Sequence, residues 1–275
     1  MLGADLLDEW QSDELIPADR AQADLRDFPQ VEKLVLRVRP EWIVLAAAYT
    51  DVDGCERNPQ LAFAVNQTGV ENVARAARLA AARVFFVSTD YVFDGKSKRP
   101  YETTDPVSPL NVYGASKAAG ETALSKSQVA WCVARTSWLF GVHGASFPEK
   151  ILRAAETRPE LSVVSDQIGS PTYTRDLARV IRALLSRDVR GFVHITNQGT
   201  CSWFDFAREI LSQSGRESIP VLPISTDQAA RSARRPNYSV LSPASLHAFG
   251  IRTRPWQEAL RAFLKEKSAQ PVPKI

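Results

Sequence analysis

The feature that most constrains this chain is an alternation. Short, mainly apolar runs at 42–47, 83–88 and 131–136 are separated by stretches whose apolar residues recur at helical spacing. Runs of that length bounded by helical patterns read as strands buried on both faces of a sheet. Between the first two, Val70, Val73, Ala77 and Ala80 mark one face of a helix, and between the second and third a helix is expected over 112–125. Val31, Leu34, Val35 and Val38 predict an earlier helix closed by Pro40. Leu2, Leu6, Leu7 and Trp10 lie about one turn apart, so the chain opens on an amphipathic helix, followed by an extended stretch at 14–18. Strands alternating with helices imply parallel βαβ units, and so an α/β, doubly wound parallel sheet of the Rossmann type.

After about residue 147 the rhythm changes. Residues 165–174 are rich in Gly, Pro, Ser and Thr and predict a shaped loop. A helix is expected over 177–185, a strand over 191–196 and a second helix over 203–211, with Ser202 as its N-cap. Residues 229–238 are basic and irregular, 256–265 form a terminal helix, and 269–275 are a low-complexity tail. The expected organisation is a dinucleotide-binding domain over 1–146. A smaller α/β domain, mainly substrate-binding, follows over 147–275, with some segments returning to the first.

Composition narrows the function classes. Of 275 residues, 44% are hydrophobic and 24% charged, which suits a soluble globular enzyme or binding protein. The longest apolar run, 42–49, is too short to cross a bilayer, and no basic-then-apolar leader is visible at the start. Cys55, Cys132 and Cys201 lack metal-type spacing, and their odd count argues against a disulfide framework, so a cytoplasmic location is expected. A net charge of +3 with scattered Lys and Arg gives no case for nucleic acid. His143, His194 and His247 share no spacing that suggests a triad or a metal and read as structural.

The chemistry concentrates in Tyr113-Gly114-Ala115-Ser116-Lys117. A tyrosine and a lysine four apart share one helix face. An ammonium beside a phenol favours the phenolate, and the expectation is a Tyr113 pKa drawn down from about 10 toward neutrality. Such a phenol can act as general acid toward an alkoxide formed by hydride addition. Alone, Tyr-x-x-x-Lys is a weak signal that solvated helices often carry. Context strengthens it, because the strand at 84–87 runs directly into Ser88-Thr89-Asp90-Tyr91-Val92-Phe93. Hydroxyls at the carboxyl end of a parallel strand point into the crevice where open α/β sheets bind ligands, so Thr89 is expected to meet the same carbonyl oxygen as Tyr113. Arg234 and Arg235 offer guanidinium forks that match a pyrophosphate.

That strand, Ser-Thr-Asp-Tyr-Val-Phe and Tyr-x-x-x-Lys resemble the extended short-chain dehydrogenase/reductases. The segments RPEWIVLAAAYTDVDGCE, STDYVFDG, PLNVYGASKAAGE, RTSWLFG, DQIGSPTYTRDLA and RRPNYSVL are similar to its dTDP-4-dehydrorhamnose reductase branch, in family order over most of the chain. The resemblance implies that Tyr113 donates the proton, that Lys117 binds the nicotinamide ribose and tunes Tyr113, and that Thr89 orients the carbonyl. It places Asp90 and Trp138 beside the sugar, and Asp24 and Leu25 at the adenine. Ala47, Ala48, Tyr49 and Thr50 fall beside the cofactor phosphates and ribose. NADPH or NADH is the implied cofactor and a nucleotide sugar the implied substrate, with Mg2+ in some members and a homodimer as a further option. The implied reaction reduces the 4-keto group of dTDP-4-dehydro-6-deoxy-L-mannose to dTDP-L-rhamnose. The chain departs from the pattern at its start. Met1-Leu2-Gly3 matches only the end of the family's G-x-x-G-x-x-G turn, so Gly3 is the one glycine of that cradle, and Asp19 follows at a ribose-binding remove. The expectation is a sheet lacking its first strand, with weak cofactor binding. Two alternatives follow: a non-catalytic subunit like the regulatory subunit of methionine adenosyltransferase, or a reductase of another nucleotide-linked 4-keto sugar.

Overall fold

The computed structural model describes residues 1–269, so the expected tail lies outside the described residues except for Ala269. Helix α1 (Leu2–Glu9) is followed, after turns, by α2 (Phe28–Val38). The Asp27 carboxylate caps α2 by accepting from the Gln30 amide, Pro29 sits in the first turn, and Arg39 ends the helix in the left-handed region at φ 48°. Strand β1 (Trp42–Leu45) leads into α3 (Val52–Arg57), α4 (Pro59–Phe63), a π-helical turn at Ala64–Thr68, and α5 (Gly69–Ala80). Then come β2 (Arg83–Thr89), a single 3-10 turn at Asp90–Val92, α6 (Val112–Ser125) and β3 (Trp131–Thr136). The remainder runs β4 (Leu139–Phe140), α7 (Phe147–Ala154), β5 (Leu161–Val164), β6 (Ile168–Gly169), β7 (Thr172–Tyr173), α8 (Thr174–Leu185) and β8 (Gly191–His194). It closes with β9 (Cys201–Ser202), α9 (Trp203–Gln213), β10 (Val221–Ile224), α10 (Ala244–His247) and α11 (Trp256–Ala269).

Strands β1, β2, β3 and β8 hydrogen-bond in that order as one parallel sheet. The two-residue period of β2 sorts its side chains. Val84 and Phe86 pack under Val31 and Val35 of α2, Val70, Val73 and Ala77 of α5, and Leu124 of α6. Phe85 and Val87 face the other way, toward Leu2 and Leu6 of α1 and Leu177, Ile181 and Leu184 of α8. Helices on both faces make the sheet doubly wound, as expected. Burying a Phe side chain contributes roughly 1.5–3 kcal/mol, so Phe85 and Phe86 alone tie both helical layers to the sheet.

Two expectations need correction. The stretch at 14–18 forms no strand, because no neighbouring strand lies there to take its backbone bonds; among the described residues no strand precedes β1, which lies at a sheet edge. The runs at 42–47 and 191–196 stop pairing at Leu45 and His194, where the backbone leaves the sheet for the crevice.

A second apolar cluster gathers Phe140, Ile151, Leu161, Val163, Tyr173, Phe206, Ile210, Trp256 and Phe263 around α7, α9 and α11. Ser202 caps α9 in a reciprocal capping box with Asp205, as its position predicted. Beneath the crevice lies a buried ion pair. Arg135 of β3 meets Glu121 of α6 at 2.7 Å, with side chains 3% and 4% exposed, and Ser88 of β2 donates to the same carboxylate at 2.6 Å.

Candidate active site

The carboxyl ends of β1 and β2 and the first turns of α6 build the site. Asn111 caps α6, accepting from the Gly114 amide at 2.7 Å, and so fixes the turn that carries Tyr113. Gly114 is required by its surroundings, since a Cβ there would lie 2.1 Å from the Tyr91 carbonyl oxygen. The helix therefore rests directly on the backbone of the loop after β2. Across this contact the Tyr91 and Tyr113 rings meet edge to face, with centroids 5.9 Å apart and planes at 73°.

Thr89, the last residue of β2, is buried, and its hydroxyl lies close enough to the Tyr113 phenol to favour the phenolate, against the larger effect of burial. It also donates to Asp90 Oδ1 at 3.0 Å and accepts from the Tyr91 amide at 3.2 Å. The structure thus brings Thr89, Asp90 and Tyr113 together. Burial pushes the Asp90 carboxyl up to about 7, against the lowering effect of the Ser239 hydroxyl nearby and of the Thr89 hydrogen bond.

The tuning expected of Lys117 is not what the structure holds. Burial pushes the Tyr113 phenol above its ordinary value, and the nearby Thr89 hydroxyl only partly offsets this. The Lys117 ammonium donates to the Val87 carbonyl at 2.7 Å and lies 4.0 Å over the Phe86 ring. Its own burial brings it down to about 7, against the pull of Glu121. Desolvation therefore outweighs the mutual attraction that spacing alone suggests.

Ala48 and Tyr49 are half-buried on the loop that leaves β1, and Ala47 and Thr50 are exposed. Asn66, a residue that sequence reasoning passed over, anchors this loop. Its side chain accepts from the Tyr49 amide at 2.8 Å and donates to the Tyr49 carbonyl and to Ser116 Oγ, each at 3.0 Å. It sits in the π-helical turn, a geometry often found at functional sites. The available signal was an Asn following the apolar run 61–65 inside a helical stretch. Leu25, in the turn before α2, packs beside Gly69, and its carbonyl accepts from Asn72 at 2.8 Å, so it is held against α5. Asp24 is engaged by Arg26 through its carboxylate and lies well below the usual carboxylate range for that reason. Asp19 accepts from the amides of Ala21 and Gln22 in an exposed turn, and Gly3 lies in the first turn of α1.

On the substrate side, Trp138 has φ 49° and stacks on Trp203 at 3.6 Å and 7°. A Cβ on Gly169 would fall 2.4 Å from its ring, so the indole is wedged between Trp203 and bare backbone. Arg234 and Arg235 differ. Arg234 is exposed, and its guanidinium has no partner among the described residues, whereas Arg235 pairs with Asp53 at 2.8 Å. His143, expected to be merely structural, meets Asp8 at 3.1 Å and Asp5 at 3.8 Å, both from α1. These three form the one group of ligand atoms among the described residues close enough to share an ion.

A doubly wound parallel sheet with Thr, Tyr and Lys at its crevice defines a Rossmann-type protein with the residue set of the short-chain dehydrogenase/reductases. The family model described as RmlD substrate binding domain matches residues 1–269, and the chain belongs to that family. It is 40% identical over 256 residues to the spore coat polysaccharide biosynthesis protein SpsK of Bacillus subtilis, covering 93% of this chain and 90% of that one. It is 39% identical over 258 residues to a dTDP-4-dehydrorhamnose reductase of Mycobacterium tuberculosis, covering 91% and 84%. The crystal structure of a dTDP-4-dehydrorhamnose reductase from Bacillus anthracis in complex with NADP is 38% identical, with TM-score 0.94 and coverage of 96% and 95%.

Proposed function

We propose that this chain reduces the 4-keto group of dTDP-4-dehydro-6-deoxy-L-mannose to dTDP-L-rhamnose with NADPH. The observation that carries this reading is the meeting of Thr89, at the end of β2, with the Asn111-capped first turn of α6 that carries Tyr113, with Lys117 one turn further along the same helix. Family membership supports the enzyme over a non-catalytic subunit. The bound dinucleotide supplies the hydride. The residues beside its expected place suit it, since Ala47 and Ala48 leave room for backbone approach and Asn66 fixes the Tyr49 backbone. Thr89 holds the ketone oxygen in line with Tyr113, and Tyr113 donates its proton as that oxygen gains charge. Lys117 meets the cofactor ribose on leaving Val87. Asp90, the edge of Trp138 and the free fork of Arg234 line the sugar nucleotide. Gly3, Asp19, Asp24, Leu25 and Thr50 make the remaining dinucleotide contacts.

The division near residue 146 into a cofactor domain and a substrate domain rests on the two apolar clusters, one around the sheet and one around α7, α9 and α11. No helix among the described residues is long and apolar enough to cross a membrane, which suits a cytoplasmic enzyme that meets its substrate in solution. The test is to incubate the chain with the 4-keto sugar nucleotide and NADPH, following nicotinamide absorbance and product mass. Oxidation of NADPH with a two-hydrogen gain in the sugar nucleotide is expected. No turnover with this substrate, with either NADPH or NADH, overturns the reading.

A further inference from the structure

Residues 232–239 cross the molecule as a strap, held at one end by the sheet side and at the other by the side that carries Trp138. At the first end the Asp53 carboxylate of α3 accepts from Ser232 Oγ and from the Ala233 amide, each at 2.9 Å. It also takes both arms of the Arg235 fork, Nη2 at 2.8 Å and Nη1 at 3.3 Å. Arg235 Nη1 donates in addition to the Ala233 carbonyl at 2.8 Å, so this guanidinium, on a side chain 10% exposed, is taken up in holding the strap. Its hydrogen bond keeps the Asp53 carboxyl well below the usual carboxylate range, so the pair stays charged at neutral pH. At the far end the Asn237 carbonyl accepts from the Ile168 amide at 2.7 Å, and the Ser239 amide donates to the Ile168 carbonyl at 2.8 Å. Ile168 is followed by Gly169, against which the Trp138 ring is packed.

A second side chain grips the strap between these ends. Asn111 accepts from the Gly114 amide through Oδ1 at 2.7 Å, capping α6, and donates through Nδ2 to the Arg234 carbonyl at 2.7 Å. One amide group therefore joins the turn that carries Tyr113 to the backbone of Arg234. Helix α3 backs both contacts, because Glu56, three positions after Asp53, accepts from the Val112 amide at 2.9 Å where α6 begins. The Arg234 guanidinium is exposed and has no partner among the described residues. Its backbone is held on both sides while its side chain stays free.

We propose that Asp53 and Asn111 are positioning residues for Arg234: they latch the strap to the sheet side and hold that guanidinium ready for the substrate diphosphate. This rests on the reductase reading, in which the substrate is a nucleoside diphosphate sugar. A segment already fixed in its bound conformation binds without the cost of being ordered by the ligand. The diphosphate lies away from the reacting carbonyl, so cutting the latch is read in substrate affinity and not in turnover.

The test compares Asp53→Asn, Asn111→Ser, Arg234→Ala and each of the first two combined with Arg234→Ala, by steady-state kinetics and by calorimetric titration with thymidine diphosphate. Serine caps a helix as well as asparagine does but is too short to reach the Arg234 carbonyl, so Asn111→Ser cuts the tie and keeps the cap. Arg234→Ala is expected to weaken thymidine diphosphate binding and raise KM roughly tenfold. Asp53→Asn and Asn111→Ser are each expected to do the same by roughly threefold to tenfold, with kcat and NADPH affinity little changed. On the Arg234→Ala background neither is expected to weaken thymidine diphosphate binding further, because both act only through that side chain. A general loosening of the fold would instead add its loss to that of Arg234→Ala. Where Asp53→Asn fails to fold, Asn111→Ser carries the comparison. Unchanged thymidine diphosphate affinity in the latch variants or in Arg234→Ala, or the full loss repeated on the Arg234→Ala background, overturns the proposal. Tighter binding by Asp53→Asn also overturns it, since the released Arg235 is then the phosphate ligand. Absence of thymidine diphosphate binding by the unaltered chain overturns proposal and reading together. Failure of a chain that binds it to turn over the sugar nucleotide defeats the reductase reading alone, and the titration still reads the latch.

Discussion

Burial keeps the Tyr113 phenol protonated through neutral pH, which is the state a proton donor needs. Tyr113→Phe preserves the ring against Tyr91 and removes only that proton. It is expected to lower kcat by about 10²–10⁴-fold, with substrate binding within a few fold, in steady-state kinetics. The tyrosine, lysine and threonine were legible in the sequence because their chemistry and spacing are local. The direction of the Tyr113 shift was not, since desolvation depends on what the fold lays over a residue. Nor was the Asp53–Arg235 pair, whose members stand 182 positions apart. His194 gives a second residue-scale outcome. It is buried, and its imidazole is held down to about 3, chiefly by desolvation and then by Arg135. The unfolded chain takes up this proton below about 6.5 and the folded one does not, so stability falls as pH drops from 6.5 toward 3. Asp90, raised to about 7, acts in the opposite sense as pH falls from 7 toward its ordinary range. The His194 share is therefore read by difference. Denaturant unfolding of His194→Leu between pH 7 and pH 4.5 is expected to lose less stability than the unaltered chain.

At the scale of elements, the contact between α6 and the loop after β2 sets two effects against each other. Gly114→Ala gains up to about 1 kcal/mol of helix propensity. The new Cβ meets a backbone carbonyl at 2.1 Å, which no side-chain rotation relieves, so α6 must shift and carry Tyr113 with it. The clash wins: a lower melting temperature and a lower kcat are expected together. Ser202→Ala, distant in role, removes one half of the α9 capping box and is expected to cost about 1 kcal/mol in denaturant unfolding without changing kcat. Helix α6 was readable in its extent because a run of helix-forming Ala, Lys, Glu and Leu lies between two apolar strand runs. The pairing of β5 with β10 was not readable, since a strand as short and half-exposed as Val221–Ile224 acquires its identity only from a partner far away in sequence. The π-helical turn was hidden for a related reason: one inserted residue changes hydrogen bonding without disturbing the apolar pattern.

For the whole molecule, the proposed function has a thermodynamic consequence, because a cofactor and a sugar nucleotide that need the assembled crevice bind only the folded chain. NADPH at about 100 times its dissociation constant adds roughly 2.7 kcal/mol of stability, and thymidine diphosphate adds its own share. Thermal melts are expected to rise with each ligand and to rise furthest with both; no shift with either removes the crevice as their site. The parallel sheet and its two helical layers were legible from the alternation of runs, because periodicity reports burial. The wedging of Trp138 against Trp203 was not, as it depends on loops closing around Gly169. The ion pair beneath the crevice has a consequence for how such a chain can drift over generations. Arg135→Leu alone leaves the Glu121 carboxylate buried with Ser88 as its one remaining hydrogen-bond partner among the described residues, at a cost of about 3–5 kcal/mol. Replacing both with apolar residues of similar volume is nearly neutral by the same reasoning. Neither position can move first without crossing a deep fitness valley, so the pair is inherited as one character or lost as one.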